Sequence, residues 1–201
     1  MTTPEQRIER TIQALCDELT WGLRFFYANK ALHESELRIT PTLFDTFYWS
    51  CLDQAGLILS RIVIAKVKDD DSVNVSYLLG YARNNPELFH FAKPGEVEKL
   101  VKTHLALLES YKSDIGILED QRDRNLAHLD RKHVNQPDWR ENQTQLDLDR
   151  VEQLYRDLIS MMATYHRLFY GGEIDFGDWQ TISKEEVETL INFFEAYQSK
   201  A

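Results

Sequence analysis

The chain has 201 residues, 43% hydrophobic and 28% charged, enough for one sizeable core in a soluble protein. Its formal net charge is −10, so overall charge does not draw it to nucleic acid or anionic lipid; any such contact needs a local basic patch. With 8 Gly and 5 Pro it is sparsely punctuated, which favours long helices over many short strands and turns.

The cysteines Cys16 and Cys51 fall inside apolar helical patterns and are expected to be buried thiols in a reducing compartment, without a disulfide scaffold. Met1 to Arg10 is polar and charged, so no secretory leader is expected. The longest apolar run, around Ala55 to Val67, is interrupted by Ser60, Arg61 and Lys66 and is too short and too charged to span a bilayer. The expectation is a cytoplasmic protein with no membrane partner.

In chain order, Thr3-Pro4 with Gln6 forms a capping box that opens a first helix. Its stripe is Ile8, Ile12, Leu15, Leu19 and Phe26. Thr40-Pro41 opens a second, with Phe44, Phe47, Cys51, Ala55, Ile58, Ile62 and Ala65 facing inward, to about Lys68 and the acidic turn Asp69-Asp70-Asp71. A short helix is predicted from Val75 to Arg83, closed by Asn84-Asn85-Pro86.

Pro94-Gly95 then opens the longest helical pattern, from Glu96 through Leu100, Leu107, Leu108, Tyr111, Ile115 and Leu118 to about Lys132. Asn135 to Asn142 reads as a loop. A further helix runs from about Leu146 to Tyr170, with Val151, Leu154, Leu158, Met161, Met162 and Tyr165 inward, and Gly171-Gly172 stops it. Ser183 with Glu186 makes another capping box, starting a last helix with Val187, Leu190, Ile191 and Phe194 inward.

These stripes predict an all-α, up-and-down antiparallel helical bundle with extra short helices. Residues 1–201 are expected to be one domain, with the last helix, about 183–198, as a C-terminal appendage.

One segment is chemically suggestive. Arg122, Arg124, Arg131 and Lys132 place 4 of the 23 basic residues within 11 positions, beside His128 and His133. In an acidic chain this is the place for a phosphate to dock. It lies near the end of the long helix, where the dipole favours cations and raises a histidine's affinity for its proton. The plainer alternative is a set of surface ion pairs, Glu119 with Arg122 and Asp120 with Arg124, at helical spacing.

Other candidates are weaker. Glu87-x-x-His90 and Asp130-x-x-His133 echo a bundle metal motif, but a di-iron site needs more inward carboxylates, so no metal is expected. Cys16 and Cys51 lack zinc spacing, and the absence of a glycine-rich phosphate loop leaves ATP hydrolysis unsupported. No cofactor is expected. Phe25, Phe26, Tyr27 and the Phe44–Trp49 cluster read as core or dimer interface, and His33, His104 and His166 as lone structural or surface histidines. Trp139 and Trp179 fall in predicted loops, where exposure would mark a partner surface.

The stretch Arg122-Asp123-Arg124-Asn125-Leu126-Ala127-His128 has an arginine, a polar residue and then a histidine after five intervening positions. It resembles the HEPN superfamily, and with Leu129-Asp130 it looks like the abortive-infection (type U) branch. Leu57 to Arg61 running into Asp69 to Val73 resembles that branch too, and the likeness spans roughly residues 5 to 170.

What the resemblance implies is a homodimer with two facing motifs forming one composite site. Many catalytic members are metal-independent endoribonucleases, often toxins or antiphage effectors, some with a cognate antitoxin that is a nucleotidyltransferase, and other members are non-catalytic binding domains. By this likeness His128 would transfer protons, Arg122 would hold the RNA phosphate, and Asp123 and Asn125 would orient the histidine or nucleotide. Arg124, Arg131 and Lys132 would add phosphate contacts.

Helical geometry leaves the phosphate ligand open. Six positions turn an α-helix roughly 240° past a full circle, so Arg122 and His128 do not share a face, whereas Arg124 and His128 do. Either the helix bends here, or the facing protomer supplies the partner, or Arg124 rather than Arg122 is the phosphate ligand. The rival readings are a non-catalytic HEPN-like domain that binds nucleotide, RNA or a protein partner, and a scaffold bundle with an ion-paired surface.

Overall fold

Thr3 starts the first helix as its sequence indicates. Its Oγ1 accepts the Gln6 N–H at 3.2 Å and Gln6 Oε1 accepts the Thr3 N–H at 3.1 Å, closing the capping box around Pro4. The computed structural model describes residues 2–35, 41–64, 73–122 and 147–198, leaving aside the side chains at 41–45, 194, 195, 197 and 198.

Helix α1 spans Pro4–Glu34, α2 Pro41–Val63, α3 Val75–Asn84, α4 Glu96–Ser110, α5 Lys112–Gln121, α6 Leu148–Tyr170 and α7 Trp179–Gln198. A single 3₁₀ turn, Pro86–Leu88, follows α3. Among the described residues there is no strand, so the all-α bundle expected from the sequence is what the chain forms.

Pairwise contacts give the helix directions. Asn29 Nδ2 donates to the Tyr48 carbonyl while Arg61 meets Glu18, so α2 runs antiparallel to α1. Lys30 meets Glu152 and Phe26 packs on Tyr155, while the Tyr170 phenol lies beside Gln13, so α6 is also antiparallel to α1. His104 with Tyr165 and Tyr111 with Asp157 set α4 antiparallel to α6, and Arg150 with Asp114 continues that sense along α5. The up-and-down four-helix core is therefore α1, α2, α4–α5 and α6. Helix α7 lies alongside α1 and parallel to it, with Arg24 against Trp179 and Ala31 and Leu32 against Val187.

One continuous core joins the inward stripes. Ile8, Ile12, Leu15, Leu19 and Phe26 of α1 meet Ala55, Ile58, Leu59 and Ile62 of α2, Leu78 and Leu79 of α3, and Leu154, Leu158, Met162 and Tyr165 of α6. Cys16 and Cys51 are buried, and burial, joined for Cys16 by the charge of Asp17, pushes the Cys16 thiol up to about 12. Both are small apolar fillers rather than reactive thiols.

Several boundaries differ from the sequence reading. The long helix expected from Glu96 is broken at Tyr111, which turns inward and carries its N–H to the Leu108 carbonyl at 3.1 Å. Helix α7 begins at Trp179 rather than Ser183, because the Asp178 carboxylate caps it, accepting the Thr181 N–H at 3.2 Å and its hydroxyl at 2.7 Å. Ser183 is instead a buried residue inside the helix. Trp179 is thus helical and half-buried, not an exposed loop residue.

Phe47 and Leu190, both expected inward, are exposed; their chain neighbours Tyr48 and Ile191 are the residues that pack against Ala31, Leu32 and Val187. Helix α2 ends at Val63, and Ala65 to Lys68 lie outside the described residues. Asp147 caps α6, accepting the Asp149 and Arg150 N–H groups, and Gly171 ends it with φ +76°. Among the described residues no helix is long and apolar enough to cross a membrane.

Candidate functional site

Of the residues singled out for chemistry, the structure describes Arg122. Asp123, Arg124, Asn125, His128, Arg131 and Lys132 lie outside the described residues, as do Asp130, His133 and Trp139.

Arg122 follows the last residue of α5 and keeps helical angles, φ −58° and ψ −49°, with its N–H directed to the Leu118 and Glu119 carbonyls. Its place on the helix is informative. Tyr111, Ile115, Leu118 and Arg122 are spaced four, three and four residues apart, one face of a helix. The first three form the inward stripe, with Tyr111 and Leu118 buried and Ile115 packed on the core.

Arg122 therefore carries a guanidinium at the rim of the core rather than out on the solvent face. Its side chain is 11% exposed and lies 3.7 Å from the Glu119 carboxylate, which is 50% exposed. The Glu119–Arg122 pair anticipated from spacing is present, but as a long contact at the edge of a mostly buried arginine. A surface ion pair of the ordinary kind has both partners in solvent.

The helix bearing Arg122 is fastened to α6. The Tyr111 hydroxyl donates to Asp157 Oδ2 at 2.7 Å, and Gln153 Nε2 donates to the other oxygen at 3.0 Å. Arg150 lies over the Tyr111 ring, 4.6 Å from its centroid, and donates to Asp114 Oδ2 at 2.8 Å. Burial, and then the bond to and charge of Asp157, push the Tyr111 phenol up to about 12, so it is a hydrogen-bond donor throughout the neutral range.

Three further polar arrangements escaped the sequence reading. Glu152, buried between α1 and α6, accepts from Tyr27 Oη at 3.3 Å, Lys30 Nζ at 2.7 Å and an Arg156 guanidinium nitrogen at 2.6 Å. A pocket of about 60 Å³ adjoins this cluster, lined by Tyr27, Lys30, Ala31, Glu34, Gln180 and Lys184. Arg24 is sandwiched between Trp21 at 4.9 Å and Trp179 at 4.8 Å. His104 Nδ1 lies 3.2 Å from the Tyr165 hydroxyl.

Of the histidines weighed from sequence, His166 Nδ1 is 3.1 Å from the Gly172 carbonyl and the His33 ring lies tilted, 6.0 Å from that of Tyr48. His90 pairs with Glu5 of α1 at 3.4 Å, while Glu87 sits exposed in the 3₁₀ turn. A signal for Arg122 was available in the 111/115/118/122 spacing. For Arg150, Asp157 and Glu152 nothing local distinguishes them from other charged residues of an amphipathic helix.

The described helices form an antiparallel four-helix core with shorter helices, whose split third member carries Arg122 on its inward face, an arrangement consistent with a HEPN-like helical bundle. Residues 5–190 match the HEPN family model AbiU2, and the chain belongs to that family. No curated protein and no solved structure matches it.

Proposed function

We propose that this chain is a metal-independent HEPN-type RNA endonuclease that acts as a homodimer in a toxin or antiphage setting. The observation that carries the proposal is the placement of Arg122 at the rim of the core, in a chain of the AbiU2 family. A guanidinium held at the end of a packed stripe is pre-oriented, so it loses little freedom on meeting a phosphate.

In this reading Arg122 holds the scissile phosphate and stabilises charge on the in-line transition state. His128 takes the proton of the 2′-hydroxyl or protonates the leaving oxygen. Asp123 and Asn125 orient the histidine or the nucleotide, and Arg124, Arg131 and Lys132 supply further phosphate contacts. Two motifs facing one another across a two-fold axis form one cleft. In a toxin setting, a cognate antitoxin of nucleotidyltransferase type, as some HEPN toxins have, would be a further partner.

The test is incubation of the purified protein with structured RNA in EDTA, beside His128→Ala and Arg122→Ala. Cleavage that persists in EDTA and is lost in both variants supports the reading. No cleavage, or cleavage undiminished in both variants, rejects it; RNA binding without cleavage would favour the non-catalytic alternative.

A further inference from the structure

Leu108 to Ser113 contain neither glycine nor proline. The Ser110 hydroxyl bonds back to the Leu107 carbonyl at 2.6 Å, which favours a bend here but does not set where the next helix goes. The partners that hold the turn are tertiary. Arg150, Gln153 and Asp157 stand three and four residues apart on one face of α6 and grip the first turn of α5. Asp157 takes the Tyr111 hydroxyl, Arg150 covers the ring and reaches Asp114, and Gln153 holds Asp157 in place.

We propose that Tyr111, Asp114, Arg150 and Asp157 form a clamp that sets the roll and position of α5, and so makes Arg150 and Tyr111 positioning residues for Arg122. Its catalytic consequence rests on the function proposed above. Tyr111 and Arg122 are eleven residues apart on one face, about 16 Å along a helix. A helix is stiff over that length, so its phase at residues 111 and 114 is its phase at residue 122. The apolar packing of Ile115 and Leu118 is a weaker guide to roll, because aliphatic side chains pack acceptably over a range of angles. A directional bond, an ion pair and a ring stack are not so tolerant. A misplacement of about 1 Å at a phosphate ligand costs on the order of 100-fold in rate.

The experiment compares four proteins: wild type, Arg150→Ala, the exchange Asp114→Arg with Arg150→Asp, and Arg122→Ala. Each is assayed for kcat and KM on the cleaved RNA and for amide exchange at residues 118–122. Arg150→Ala is expected to lower kcat roughly 10- to 100-fold with KM within about twofold, and to reduce protection at those amides. The exchange is expected to restore protection and part of kcat. Unchanged protection in Arg150→Ala, or lost protection with full kcat, overturns the clamp as a positioning device. If Arg122→Ala cleaves like wild type, or wild type does not cleave, the proposed function has failed. The clamp then stands or falls on protection alone.

Discussion

The hydroxyl of Tyr155 occupies the space where a side chain on Gly22 would begin: a Cβ there would lie 2.6 Å from that oxygen and 3.1 Å from Ile58 Cγ2. Gly22 is where α1, α2 and α6 converge, and the same hydroxyl donates to the Ala55 carbonyl at 2.8 Å. Gly22→Ala should therefore destabilise the fold. Overpacking of about 1–3 kcal/mol outweighs a helix-propensity gain of at most about 1 kcal/mol. Urea unfolding with Tyr155→Phe as second mutation checks the contact, because removing the hydroxyl should make the two changes non-additive. Additive losses would place the strain elsewhere.

The pH dependence of stability should show two separate acid limbs. Burial lowers the His104 imidazole below its ordinary 6.5, so the folded state resists a proton the unfolded chain accepts. Stability is intact above 6.5 and falls as pH drops through the lowered value. Burial alone would raise the Glu152 carboxyl, but the bonds from Lys30 and Arg156 and their charges outweigh it and hold it below the ordinary 4.5. Its contribution is present above 4.5 and lost as pH falls through the depressed value. Equilibrium unfolding across this range should lose the first limb in His104→Gln and the second in Glu152→Gln.

Helix α7 should be the least protected of the long helices. Among its described residues Ser183 and Val187 are buried, whereas α6 buries ten residues. Arg24→Ala removes the cation between Trp21 and Trp179 that fastens the first turn of α7. Hydrogen exchange should be faster in α7 than in α6, and faster still in that variant with α6 unaffected. Equal protection in α6 and α7 would contradict this.

If the proposed chemistry holds, the sugar decides the substrate. A strand with a single 2′-deoxy nucleotide at the scissile position should resist cleavage at that bond and be cut normally elsewhere, and ordinary cuts should leave a cyclic phosphate. Cleavage through the deoxy position would exclude attack by the 2′-hydroxyl.

By itself the sequence determined the helical class, the Thr3-Pro4-Gln6 cap, the buried cysteines and the stripes of α1 and α6, together with the likeness to the family to which the chain belongs. These are properties of spacing and local chemistry: a 3.6-residue period and a cap act between residues a few positions apart. Only the tertiary structure decided where the long helix breaks, that Asp178 rather than Ser183 starts the last one, that Phe47 faces solvent, and that Glu152 is buried among two cations and a phenol. Each depends on what a neighbouring helix presents, at sequence separations such as the 46 residues between Tyr111 and Asp157. Arg122 stands between the two cases. Its spacing was legible from the first, but only the tertiary structure places its guanidinium at the rim of the inward stripe, because a charge there is held by packing that no local pattern encodes.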